Sequence, residues 1–244
     1  MGKDLSRKVA VVAGAAGGLG EALSRALVAH PDYASVFALS RTRPSSDDGI
    51  EWLETDTTSP ADLESAASRV AQLTDRVHLL LCCSGVLHGG AGSPHRPEKS
   101  LAELELENLQ LAVRVNAFAP LAAIRAFRDL LRHDQRPVAA VLSAMVGSIG
   151  DNSLGGWYSY RMSKAALNMG VRNVAIEFGR LRNGPSVVAV HPGTTLTPLS
   201  EPFVRGRDPR TPDESARHIL SVVHDLSPED SGRFFNWDGR ELPW

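Results

Sequence analysis

Tyr160 and Lys164 stand four residues apart in the stretch YSYRMSKAALN (158–168), whose pattern is helical. Residues at that spacing share one face of a helix, so a phenol and an ammonium are neighbours there. The pair suits reduction of a carbonyl by hydride, which leaves an alkoxide that must take a proton as it forms. Tyrosine can give that proton, but an unperturbed pKa of about 10 makes it a poor base near neutrality. A nearby ammonium stabilises the phenolate and is expected to lower that pKa. Tyr158, six positions before the lysine, lies well around the helix from it. Spacing therefore selects Tyr160 as the acid/base and leaves Tyr158 to packing or a pocket wall. A tyrosine and lysine so spaced are more often an ordinary surface pair, and only the surrounding elements decide between the two.

Apolar, β-branched runs at 8–14, 34–40, 76–85, 137–144 and 185–193, with a short one near 233–236, predict strands. Helical spacing predicts helices at 19–30, 60–73, 101–132 (broken near 113–116), 157–182 and 213–226. Strands that are apolar along their whole length belong to a parallel sheet covered on both faces. The expected fold is α/β, one doubly wound domain over residues 1–244 with no repeat or linker.

The turn after the first strand reads AGAAGGLG, with Gly14, Gly18 and Gly20, and Leu19 between the last two. Glycines there let backbone N–H groups approach a pyrophosphate at a helix N-terminus. A glycine pattern alone is weak, but its place between a strand and a helix points to a dinucleotide. An acidic residue is expected about 20 positions on when the adenosine ribose carries no phosphate. Ser40 and Arg41 stand there instead. A carboxylate repels a 2′-phosphate and a guanidinium holds it, with Arg43 at hand, so NADP(H) is expected over NAD(H). Asp56, followed by Thr57, is placed to meet the adenine edge. A flexible turn and an exposed loop arginine are the plainer readings of the same residues.

Lys plus Arg number 26 and Asp plus Glu 28, a net charge of −2 with no basic run, which argues against nucleic acid or an anionic membrane as partner. The two cysteines, Cys82 and Cys83, are adjacent and fit no zinc spacing, so no metal site is expected. Two reduced thiols and an N-terminus unlike a signal peptide point to the cytoplasm. No apolar run approaches the ~20 residues of a membrane helix.

With GAAGGLG, VNAFAP, YSYRMSK and HPG in this order, nearly the whole chain resembles the short-chain dehydrogenase/reductase family. More narrowly, GSIGDNSLGGWYSYRMSKAALNM and SGRFFNWDGRELPW are similar to the C-factor group, which includes carbonyl reductases and proteins tied to cell–cell signalling. The resemblance implies a Rossmann-type fold in which Lys164 also holds the nicotinamide ribose and Asn116 helps keep a water-linked proton path. Asn116 reads equally as a helix-kink residue, since Pro120 follows closely. The family's serine, which bonds the substrate oxygen, falls on Ala144, one residue after Ser143. Ser143 is expected to serve if the turn rotates it inward, with Ser148 as the fallback. CCSG (82–85) replaces the family's Asn-Asn-Ala-Gly, so Ser84 and Gly85 are expected beside the cofactor with some local softening. In HPGTTLTP (191–198), Pro192 and Gly193 would shape the turn under the nicotinamide, and Thr195 and Thr197 would meet its carboxamide or a phosphate.

The segment 197–212 resembles the family's substrate lid. Leu154, Trp157, Phe203, Val86, Leu87 and His88 are candidate pocket walls, suited to an apolar carbonyl or alcohol. By resemblance, too, the protein is a homodimer or homotetramer through helices around 101–132 and 157–182, with ELPW (241–244) in reach of a neighbouring subunit. Two activities stand open: an NADPH-dependent carbonyl reductase, with an NAD-dependent alcohol dehydrogenase as its variant, and a cofactor-binding regulatory protein with little or no catalysis.

Overall fold

The computed structural model describes residues 7–43, 49–89, 93, 95–204, 206 and 208–244. Parts of the expected lid and of the loop at 86–99 lie outside those residues. Strand β1 (Lys8–Ala13) is buried along nearly all its length, as its KVAVVA run requires. It pairs in parallel with β2 (Tyr33–Ser40) on one side and β4 (Leu79–Cys82) on the other. Beyond β2 lies β3 (Glu51–Glu54), and beyond β4 lie β5 (Val138–Leu142), β6 (Ser186–His191) and β7 (Phe234–Asn236). The order is β3-β2-β1-β4-β5-β6-β7. Chain direction across the sheet reverses between β1 and β4, where a doubly wound sheet opens a crevice at its strand C-termini.

Alternating side chains send β1 into two cores. Val9, Val11 and Ala13 face α2 (Pro60–Ala71), α4 (Ala119–Phe127) and α5 (Tyr158–Phe178), which bring Leu63, Phe127 and Leu167. Ala10 and Val12 face α1 (Gly18–Ala29) and α6 (Pro212–His224), which bring Leu23, Leu27 and Ile219. The central strands are thus apolar on both faces, and the expected doubly wound fold is the one observed.

Two elements differ from expectation. β3 is a strand that its sequence hides: EWLE is four residues with a carboxylate at each end, tolerated because β3 is the sheet edge. The expected long helix at 101–132 is a 3₁₀ turn (Leu101–Glu103), α3 (Leu106–Val113), a π-turn (Arg114–Phe118) and α4. Pro120 has no N–H for the carbonyl of Asn116, and the ladder slips so that Ala119 N–H bonds Arg114 O. The break falls where the proline dictates.

Helices α2 and α6 are capped by Ser59, which accepts from Asp62 N–H, and by a Thr211–Glu214 capping box. The N-termini of α1 and α5 carry no side-chain cap of their own. Those two ends border the crevice.

Candidate active site

A cavity of about 710 Å³ opens along the C-terminal ends of β1, β4, β5 and β6. At one end is the turn into α1. Gly14 sits at φ +82°, and a Cβ there would lie 2.7 Å from the backbone nitrogen of Ser84. Gly20 packs as tightly, since its Cβ would be 2.3 Å from the Gly14 carbonyl. The N-cap residue Gly17 offers no side-chain oxygen, so the first N–H groups of α1 stay open beside Gly18 and Leu19, both of which line the cavity. That turn, with no room for a Cβ at Gly14 or Gly20 and with its N–H groups open, fits a pyrophosphate.

Ser40, Arg41, Asp56 and Thr57 sit at and just beyond the ends of β2 and β3, outside the cavity wall. Arg41 is exposed, and Ser40 Oγ donates to the carbonyl of Thr42. The Asp56 carboxylate accepts from the N–H and hydroxyl of Thr58, which hold it below the usual range, with smaller help from Arg41 and Arg114. Thr57 Oγ1 and Ser84 Oγ are 2.9 Å apart. The bond braces the CCSG segment where the family's asparagines are missing, so the expected softening is met by a substitute contact. Gly85 lines the cavity beside it.

Tyr160 and Lys164 face the cavity together, Lys164 Nζ standing 5.9 Å from the phenol ring centre, while Tyr158 is not among the lining residues. Lys164 is buried and donates to the Leu142 carbonyl at 2.7 Å. Burial lowers its pKa to about 8, against a smaller opposing effect of Cys83. Burial also pushes Tyr160 up to about 12. The expectation that the ammonium depresses this phenol is therefore not met here, because Lys164 is turned to a backbone carbonyl and desolvation of Tyr160 dominates. A phenol held in its protonated form is an acid, as reduction requires.

Ser143 and Ala144 both border the cavity. Ser143 Oγ donates to Asn168 Oδ1 at 2.6 Å, and Asn168 Nδ2 donates to the Gly147 carbonyl at 3.3 Å. Ala144 is still extended, so its side chain points opposite to that of Ser143. In this structure the Ser143 hydroxyl donates its proton to Asn168 and not toward the place where a substrate oxygen is expected. Ser148 is no replacement, because its hydroxyl donates to the Trp244 carbonyl, accepts from Asp151 N–H, and lies outside the cavity wall.

Asn116 is fully buried in the π-turn. Its Oδ1 accepts from Val86 N–H at 2.7 Å, and its Nδ2 donates to the Val86 carbonyl and to Ser163 Oγ, each at 2.9 Å. The carboxamide is committed to pinning the loop after β4. Cys82 and Cys83 are free thiols raised by burial, Cys82 to about 12.

On the β6 side, Pro192, Gly193, Thr195 and Thr197 line the cavity. Thr195 Oγ1 meets Ser215 Oγ at 2.7 Å, and Thr197 N–H donates to Ser200 Oγ at 3.0 Å. The two ends of the segment expected to form a lid are joined: Leu196 N–H donates to the Arg210 carbonyl and Arg210 N–H to the Thr194 carbonyl. The Arg210 guanidinium lies 3.4 Å over the Trp237 ring. His191, also on the wall, has a buried Nδ1 with no partner among the described residues and a pKa lowered to about 4, mainly by burial.

The far end is aromatic. Phe203 meets Trp157 at 5.1 Å and His88 at 5.6 Å between ring centres. Val86 and Leu87 join them, but Leu154 is 88% exposed and stands outside the wall. The ELPW ending folds back on its own chain: Trp244 stacks on Phe234, and its carbonyl receives Gly150 N–H as well as Ser148. Sequence reasoning missed Asn168 and Glu98. Asn168 stood four residues beyond Lys164 on the same helical face, a usable signal; Glu98 had none.

The model of the short chain dehydrogenase family matches residues 8–208. The chain belongs to the short chain dehydrogenase family. It is 31% identical over 189 residues, 78% of each chain, to 1-hydroxy-2-glutathionyl-2-methyl-3-butene dehydrogenase of Rhodococcus sp. strain AD45. It is 36% identical over 145 residues, 59% of this chain and 84% of the relative, to the C-signal of Myxococcus xanthus. Among solved structures it is similar to an NADPH-bound carbonyl reductase from chicken fatty liver, with a TM-score of 0.83, 27% identity, and 99% and 96% of the two chains covered. The protein is an oxidoreductase of this family, with C-factor and carbonyl reductase relatives.

Proposed function

We propose that the protein is an NADPH-dependent reductase of apolar carbonyl compounds. One observation carries the reading: the Tyr160 phenol and the buried Lys164 side chain line the same cavity as an uncapped, glycine-built helix N-terminus. The residues present fit a nicotinamide dinucleotide, the cradle at Gly18–Gly20 taking its phosphates and the orphaned His191 Nδ1 offering a bond on the nicotinamide side. Bound there, the reduced nicotinamide supplies the hydride. Tyr160 gives its proton to the nascent alkoxide, and Lys164 stabilises the phenolate left behind once its ammonium turns from the Leu142 carbonyl toward the ring. Asn116 holds the Val86 loop against this site, and Trp157 and Phe203 exclude water from it. Arg41, exposed where an acid would mark NAD(H), favours the 2′-phosphate.

A carbonyl panel read by NADPH absorbance tests the reading, with Tyr160→Phe as its control. The variant should lose turnover and keep NADPH affinity; parental activity in Tyr160→Phe sinks the assignment. A second reading, a cofactor-binding signalling protein with slight catalysis, is favoured by Ala144 in the serine position and by the C-signal relative. Tight NADPH binding without turnover on any compound would select it. Free Cys82 and Cys83 support a reducing, cytoplasmic setting. Met162, Met169 and Ile176, exposed at seven-residue intervals along α5, support a homodimer across that helix.

A further inference from the structure

Helix α5 carries Tyr160 and Lys164, yet three consecutive left-handed residues lead into it: Gly155 at φ +64°, Gly156 at +65° and Trp157 at +50°. Glycine tolerates that region and tryptophan does not, so its surroundings must hold Trp157 there. Arg161 grips one side. Its Nε donates to the carbonyls of Gly155 at 3.1 Å and Gly156 at 3.0 Å, and its Nη1 to that of Val146 at 3.2 Å.

Glu98 grips the other side from the loop between β4 and α3. Its backbone carbonyl accepts from Trp157 N–H. Its carboxylate accepts from Ser159 twice, from N–H to Oε2 at 3.1 Å and from the hydroxyl to Oε1. Glu98 is only 2% exposed, and no ion pair among the described residues includes it. A lone buried carboxylate is costly unless donors and a positive dipole end meet it, and the start of α5 supplies both. It does for α5 what Ser59 does for α2, but from a distant segment that continues the pocket loop of Val86 and His88.

The Trp157 ring lies 6.2 Å from the Tyr160 ring and 5.1 Å from Phe203, so the residues that Glu98 holds are the acid's neighbour and the aromatic wall. Resting on the reductase reading above, we propose that Glu98 is a positioning residue for proton transfer. Through Trp157 and Ser159 it fixes the first turn of α5, and so the place of the Tyr160 phenol against the carbonyl, without touching substrate or cofactor. The α1 cradle lies at the other end of the cavity and does not depend on it.

The test compares Glu98→Ala and Glu98→Gln with Ile219→Ala, a core variant in α6 remote from the site. Glu98→Ala should lower kcat by about tenfold or more and raise the carbonyl KM, as loss of alignment does. NADPH affinity, read by fluorescence, should stay within about twofold of the parent, and amide exchange across 157–160 should quicken. Glu98→Gln keeps one acceptor and should fall between parent and Ala. Ile219→Ala should lose thermal stability and keep kcat. Parental kcat and KM in Glu98→Ala, or a loss no larger than that of the control at equal loss of Tm, overturns the proposal. If Glu98→Ala does not fold, parental kcat in Glu98→Gln overturns it. A parent without turnover defeats the reductase reading and the proposal with it; amide exchange then still shows whether Glu98 holds the turn, which separates the two failures.

Discussion

Ser143 is the residue on which the sequence pattern and the geometry part company, and substitution there separates two magnitudes. Its hydroxyl proton goes to Asn168 Oδ1 at 2.6 Å, both groups being buried. Ser143→Ala leaves that oxygen without its donor, which costs about 1–3 kcal/mol of stability for a buried unsatisfied acceptor. For a chain of this size that is a fall in Tm of roughly 2–12 °C, at about 2–4 °C per kcal/mol. A hydroxyl that instead bonded the developing alkoxide would cost about 10²–10³ in kcat when removed, with little effect on Tm. Thermal unfolding and carbonyl reduction by the same preparation distinguish the two. The geometry predicts a Tm loss with kcat within about threefold of the parent. Ala144→Ser, which adds a hydroxyl at a second cavity-lining position, should raise kcat by about tenfold or more if the pocket reduces carbonyls. A collapse of kcat in Ser143→Ala at unchanged Tm would refute the orientation argued here.

Carbonyl reduction should weaken as pH rises through about 8, where Lys164 loses the charge that supports the phenolate; a flat kcat/KM profile across that range would remove Lys164 from the step. Arg41→Ala should weaken NADPH binding and leave NADH binding near its parental level, and an unchanged ratio of the two affinities would end the 2′-phosphate argument. Stability should fall in acid. His78 Nδ1 accepts from Val9 N–H at 3.0 Å and Nε2 donates to Gln135 Oε1 at 2.6 Å, so the folded state needs the neutral ring, and burial lowers its pKa. The unfolded chain therefore binds the extra proton below about pH 6.5, and stability is lost as pH drops from there, which urea midpoints at about pH 7.5 and about pH 5 should show. His78→Asn should lessen that dependence, with His191 and His224, also lowered by burial, keeping the remainder. Sedimentation of the parent against Met169→Glu, at a position 62% exposed on α5, tests the dimer face; a parent that sediments as a monomer removes it.

Much of the fold was legible because its strands are apolar on both faces and its helices have one apolar stripe. KVAVVA, LLLC and SVVAVH could hardly be anything but central strands. EWLE escaped because an edge strand needs neither length nor alternation. Pro120 marked the break in the 101–132 helix, but not that the break is a π-turn whose loosened backbone carries Asn116 to Val86. Spacing separated Tyr160 from Tyr158 through helix geometry alone. It could not say whether a neighbouring ammonium outweighs desolvation, because that balance depends on where Lys164 Nζ points, and it points to Leu142 O.

The parts that sequence could not supply are contacts between distant segments around α5. Ser143 with Asn168, Asn116 with Ser163, and Glu98 with Ser159 reach one helix from β5, from the π-turn and from the pocket loop. Spacing could place Asn168 on the face of Lys164 but could not name its partner, since each contact depends on the tertiary approach of two polar groups that must be satisfied once buried. They also share a consequence. A helix whose N-terminus bears the acid and has no cap of its own is oriented by its neighbours, so the alignment of Tyr160 is a property of three other elements. Substitutions in those elements should then change kcat before they change cofactor binding, because the dinucleotide cradle belongs to β1 and α1 on the opposite side of the sheet from α5.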